Sequence, residues 1–190
     1  QFSIVISMTG IGGVSRSMAQ DALSLKPDDR VCYVGNTLAD RMQHYPWLET
    51  YLTALYPDHN LSFRNLGFSA DELKVRPRSA NFGSADQWLT KCQADVVFCF
   101  FGYNEALKGK AGLSQFKSDL ADTIEQMRSQ KYNGETAPRL IFFSPIAHEN
   151  LNSPHLPDGK SNNVNLEMYS QAMQEVCEQK KVPFVDLFTT

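Results

Sequence analysis

"ADVVFCFFG", residues 94–102, is the stretch whose reading decides the architecture. Residues 96–101 are apolar without interruption, so a strand built from them has no polar face to offer to water. A short apolar run bounded by Asp95 and Gly102 is the pattern of a strand buried on both sides, as at the centre of a parallel sheet covered by helices. Four further strand-like runs surround it. "RVCYVG" (30–35) and "RLIFFSP" (139–145) are also nearly continuous, whereas "LSFRNLG" (61–67) alternates in the manner of a half-covered strand; "VPFVDLF" (182–188) is the last. Helical periodicity fills the intervals at 38–56, 84–92, 114–130 and 165–180, with Pro46 expected to kink or divide the first of these. Strands alternating with helices predict an α/β fold with a parallel sheet covered on both faces.

A chain of 190 residues can bury one sizeable core and is too short to expect two. A net charge of −3 gives no electrostatic reason to expect a nucleic-acid partner. No internal repeat or low-complexity tract occurs. Cys32, Cys92, Cys99 and Cys177 are scattered, without the close paired spacing of a zinc site. Cys32 and Cys99 fall in strand runs and read as buried free thiols. Trp47 and Trp88 sit on helical stretches and read as core. Near the start, the apolar block 2–14 followed by "SRSMAQD" resembles the tail of a secretory signal peptide, with Ser17 and Ala19 placed for a cut before Gln20. Residues 1–19 are therefore expected to be a signal-peptide remnant of an exported protein, and the block is too short for a membrane span. "TGIGGVS" in that block lacks the third glycine of a dinucleotide-binding turn, because Ser15 stands in its place.

In open parallel sheets the working site lies beyond the carboxyl ends of the strands. That rule turns a linear list into a place. The segments after the first four strands are Gly35-Asn36-Thr37, Gly67-Phe68-Ser69, Gly102-Tyr103-Asn104-Glu105 and the long loop 144–163. Three of them open with glycine and carry hydroxyl or amide groups close behind it. Such a rim suits the stabilisation of an oxyanion.

These residues resemble the blocks of the SGNH hydrolases, also called GDSL esterases and lipases. Gly35-Asn36-Thr37-Leu38 resembles their Gly-Asp-Ser-Leu, Gly67 their block-two glycine, and Gly102-Tyr103-Asn104-Glu105 their Gly-x-Asn-Asp, in order over roughly residues 30–188. The resemblance implies a three-layer α/β/α domain over 20–190, with a five-stranded parallel sheet in the flavodoxin-like order 2-1-3-4-5. It implies an esterase acting on a small ester, such as an O-acetyl group on a glycan, with no metal or organic cofactor. Carried over by position, Thr37 is the nucleophile, and Gly67 and Asn104 are oxyanion donors. The chain also looks like a variant domain near the front of large exported bacterial proteins, which implies further domains in the full-length chain. The haem-attachment C-x-x-C-H that some of those carry does not occur here.

Two departures stand out. Threonine replaces the serine, retaining a hydroxyl but adding a methyl that restricts χ1 and crowds the attack path; Asn36 replaces the aspartate. The family's terminal Asp-x-x-His is absent from residues 1–190, so the base is expected beyond Thr190. Of the four histidines, His44 lies about 10 Å along the helix axis from Thr37, at 1.5 Å per residue. His59 precedes the second strand; His148 and His155 follow the fourth, on the correct edge, and His148 reads as a candidate base or as a loop histidine contacting solvent or substrate. Thr37 and Asp40 also read as a T-x-x-D capping pair, Asn104 as an amide tying two loops together, and Glu105 as a loop anchor. Arg76 and Arg78 read as a solvated loop or as a clamp for an acidic or sugar-bearing substrate. A disarmed pocket that binds a glycan or a protein is the alternative to an esterase. A flavodoxin-like cofactor carrier shares the topology but needs a phosphate-cradling loop, for which "GNTLAD" offers few free amides.

Overall fold

The computed structural model describes residues 24–189; the expected leader at 1–19 lies outside them. Strands β1 (Arg30–Gly35), β2 (Ser62–Asn65), β3 (Val96–Phe100), β4 (Arg139–Phe143) and β5 (Phe184–Val185) form one sheet in the order β2-β1-β3-β4-β5. Every pairing is parallel, with Val31 opposite Val96 and Cys99 opposite Phe142. All five residues of β3 are buried, as the uninterrupted apolar run requires. The expected fold class and strand order are those observed.

Side chains along a strand alternate between faces, and this sorts the core into two layers. Cys32, Val34, Val97, Cys99, Leu140 and Phe142 face helices α3 (Ala85–Lys91), α4 (Gly109–Arg128) and α5 (Lys160–Lys180) through Leu89, Leu120, Ile124, Leu166 and Met173. Val31, Tyr33, Val96, Phe98, Phe100 and Phe143 face α1 (Thr37–Met42) and α2 (Trp47–Leu55). The second layer is strongly aromatic, with the Phe100 and Phe143 rings stacked at 4.5 Å between centroids. Cys32 and Cys99 are buried free thiols as expected, and burial pushes the Cys32 thiol up to about 12.

The differences from expectation have local causes. Pro46 divides the first helical stretch outright, leaving α1 with six residues and α2 with nine. α4 and α5 begin five residues earlier than their apolar periodicity indicates, because their first turns carry mainly polar or small residues, Gly109–Leu113 and Lys160–Val164. Trp47 is not core: it is 77% exposed at the start of α2, a helix that fully buries none of its residues. Trp88 is half-buried on α3 and donates from Nε1 to the Phe82 carbonyl at 2.9 Å. Among the described residues no helix is long and apolar enough to cross a membrane.

Candidate active site

Beyond the carboxyl end of β1 the chain turns at Gly35, whose φ of +133° suits glycine and whose place admits no side chain. An added Cβ would lie 2.0 Å from the Phe100 carbonyl oxygen. The turn lets the Asn36 N–H donate to that same carbonyl at 2.9 Å and starts α1 at once. Asn36, not Thr37, is the N-cap: its buried Oδ1 accepts from the Leu38 N–H at 3.3 Å. Asp40, expected to complete a capping box with Thr37, instead accepts from Ser69 Oγ at 2.6 Å and Gln43 Nε2 at 2.8 Å. The capping role therefore does not account for Thr37. Its side chain is exposed, and its hydroxyl has no hydrogen-bond partner among the described residues.

Gly67 is pressed onto α1. A Cβ there would meet the Ala39 Cβ at 2.6 Å and the Asp40 nitrogen at 2.7 Å, while the next residue, Phe68, donates its N–H to the Gly35 carbonyl at 2.9 Å. Blocks one and two are thus in direct contact. The Gly67 N–H donates to Asn65 Oδ1 at 2.8 Å, and Asn65 Nδ2 donates to the Ala39 carbonyl at 2.6 Å. Asn65 is a residue that sequence reasoning missed, since an amide near a strand end carries no signal of which loop it will clamp. Replacing Gly67 with alanine is expected to push α1, and Thr37 with it, off its position. Overpacking of that kind costs about 1–3 kcal/mol, to be read as a lowered urea midpoint beside a circular dichroism spectrum that shows the fold retained.

The third segment joins through Asp71. Asn104 Nδ2 donates to the Asp71 carbonyl at 3.2 Å, so the amide ties two loops together as one of its sequence readings has it. An amide NH₂ has two hydrogens, and this bond uses one of them. Asp71 itself is fully buried, takes two bonds from Arg78 at 2.6 and 2.9 Å, and meets Arg76 at 3.4 Å. Arg78 also stacks on Phe68, 3.9 Å from its ring centroid. Glu105 is the loop anchor: its buried carboxylate accepts from the Leu73 and Gly102 N–H groups, each at 2.9 Å. Burial pushes the Glu105 carboxyl above the ordinary range, with those amides pulling the other way.

The four histidines have partners or positions of their own. His148 is half-buried, with Nδ1 2.9 Å from Asn162 Nδ2 and its main chain clamped on both sides by Asn163 at 2.7 and 3.0 Å. His44 lies beyond the end of α1 and His155 in the loop after β4, both exposed; His59 packs against Tyr56 at 4.9 Å. None of them is hydrogen-bonded to the Thr37 hydroxyl. Beside Gly67 and Phe68 opens a cavity of about 410 Å³ bordered by Arg76, Arg78, Phe82 and Trp88, a size ordinary for small-ligand sites.

Comparison with known proteins bears on the family and the fold. The model of the GDSL-like lipase/acylhydrolase family matches residues 34–190. No curated protein matches the chain in sequence. Solved structures of like fold include a gut microbial diltiazem-metabolizing enzyme, at 17% identity and TM-score 0.62 over 90% of this chain. The chain spans only 39% of that protein's length. The native aryl esterase of M. smegmatis matches at 14% identity and TM-score 0.58, covering 83% of each chain. Est24, a carbohydrate acetylesterase from Sinorhizobium meliloti, matches at 14% and 0.56, covering 84% of each. At such identities the likeness is one of fold.

Proposed function

The chain belongs to the GDSL-like lipase/acylhydrolase family, and from that premise we propose that it hydrolyses esters of small acyl groups, O-acetyl groups on carbohydrate among them, with Thr37 as nucleophile. Thr37 Oγ1 attacks the ester carbonyl carbon, its proton passing through a general base to the departing alcohol, and the carbonyl oxygen takes the negative charge. The Thr37 N–H and the second hydrogen of Asn104 Nδ2 are the donors available to it, while Gly67 joins them by exchanging its bond to Asn65 for one to the oxyanion. Collapse of that intermediate expels the alcohol and leaves an acyl-threonine, which water hydrolyses. Donors held by the scaffold need no reorganisation as charge develops, and one of them is worth roughly a hundredfold or more in rate. The small-acyl preference follows from the Thr37 methyl, which narrows the approach to Oγ1. The aryl esterase and the carbohydrate acetylesterase of like fold support the same substrate class.

The observation that carries this reading is the state of Thr37: exposed, unpartnered, and relieved of capping by Asn36. Its test is covalent. A fluorophosphonate probe should add its phosphonyl mass to the peptide containing Thr37 and abolish p-nitrophenyl acetate hydrolysis in step. Labelling elsewhere, or loss of hydrolysis without label at Thr37, rejects the assignment.

A second reading rests on the proton. A hydroxyl nucleophile needs a base within about 2.6–3.2 Å, and no histidine is bonded to Thr37 among the described residues. In that reading the pocket binds an acetylated glycan or a protein without cleaving it. Saturable binding of an acetylated oligosaccharide, with neither label nor hydrolysis, favours it.

A further inference from the structure

The cavity beside Gly67 carries information about the substrate that the catalytic residues do not. Its walls are largely aromatic: Phe68 and Phe82 are 44% and 45% exposed, and Trp88 lines it with them. Its charges are two arginines, held against one buried carboxylate. Arg78 and Asp71 are matched, by two short hydrogen bonds and near-complete burial of both side chains, 13% and 0% exposed. Arg76 is matched more loosely. It reaches Asp71 at 3.4 Å, lies 5.3 Å from the centroid of the Phe101 ring, keeps 27% of its side chain exposed, and borders the cavity. Asp86, which lines with Arg76 a neighbouring void of about 150 Å³, has its oxygens engaged by Tyr132 and Gln126. Of these charged groups only Arg76 and Arg78 border the aromatic cavity, while Asp71 is fully buried and Asp86 faces the neighbouring void, so the charge the cavity presents to a ligand is positive. A guanidinium in such a place recognises a carboxylate through paired N–H groups.

From this we infer that Arg76 sets specificity: the cavity takes a ring bearing a carboxylate, on the alcohol side of the ester, with the ring against Phe68 and Phe82 and the carboxylate on Arg76. This rests on the esterase reading for which side of the bond the ring belongs to, but the binding itself does not depend on turnover. A sugar acid and an aromatic acid share the required chemistry. The Arg78–Asp71 pair does a different job, fixing the carbonyl that positions Asn104.

The test is a calorimetric titration of the full chain with two acids and their neutral counterparts, glucuronate against glucose and 4-hydroxybenzoate against 4-hydroxybenzamide. One acid should bind about tenfold or more tightly than its counterpart, the scale of a charge-assisted hydrogen bond, and which acid does so identifies the source. Arg76→Met should bring that ratio to about one, and Arg76→Lys should restore part of it. The hydrolytic arm compares 4-carboxyphenyl acetate with phenyl acetate, where the wild-type ratio of kcat/KM should fall in the same way. Equal binding of acid and neutral ligands, or a ratio unchanged in Arg76→Met, overturns the inference. Acid-selective binding without hydrolysis of any ester leaves it standing and removes the esterase reading. Hydrolysis without charge preference does the reverse.

Discussion

Thr37→Ala is expected to lower kcat/KM for p-nitrophenyl acetate by about a thousandfold or more, the scale on which loss of a hydroxyl nucleophile acts, while leaving stability within about 0.5 kcal/mol. The two halves of that expectation come from the same observation. An exposed hydroxyl with no partner contributes little to the fold, so its removal has little to disturb. Asn36→Ala should show the opposite division, losing about 1 kcal/mol through the cap it provides to Leu38. Thr37→Ser keeps the reacting oxygen and removes the methyl that hinders rotation, so it should hydrolyse at least as fast as the wild type. Equal rates for wild type and Thr37→Ala would end the nucleophile assignment and leave the non-hydrolytic pocket as the reading. A large loss of stability in Thr37→Ala would show that the side chain supports the fold after all.

What could be read from sequence, and what could not, divides along a physical line. Residues 96–101 announced a doubly buried strand because burial on two faces is a property of composition. The alternation of Val31, Cys32, Tyr33 and Val34 between two core layers follows from the pleat alone. Glycine at 35 and 67 was legible because each backbone has no room for a side chain. The choice of Asn36 over Thr37 as cap was not, since both residues can cap and the decision lies in a turn bound to Phe100, a residue 64 positions away. The same holds for Asn65 on Gly67 and for Asp71 between two arginines: these are side-chain contacts made across loops, and sequence spacing does not fix them. Trp47 failed for a simpler reason. A large apolar residue on a helix is more often inside than out, but α2 turns this one to solvent.

Glu105→Ala is expected to destabilise the protein by about 2–6 kcal/mol, because it leaves two buried N–H groups, those of Leu73 and Gly102, without acceptors at about 1–3 kcal/mol each. Glutamine is no remedy. Its single carbonyl oxygen can serve one amide, and its NH₂ then faces the other, donor against donor. Both variants should therefore lower the urea midpoint, where an exposed glutamate would tolerate either change. Because the same carboxylate holds Gly102, at the end of β3, to Leu73, in the segment beyond Gly67, activity should fall alongside stability. The pH dependence separates two forces at this site. Burial raises the carboxyl's pKa in the folded protein above that of an unfolded glutamate, about 4.3. A group shifted in that direction contributes most below its unfolded pKa and progressively less as pH rises through the folded value. The stability lost in Glu105→Ala should accordingly be larger at pH 4 than at pH 8 in urea titrations. A loss that grows with pH would mean that the two amides outweigh the desolvation, and that Glu105 works as a fully ionised clamp on the loop carrying Asn104.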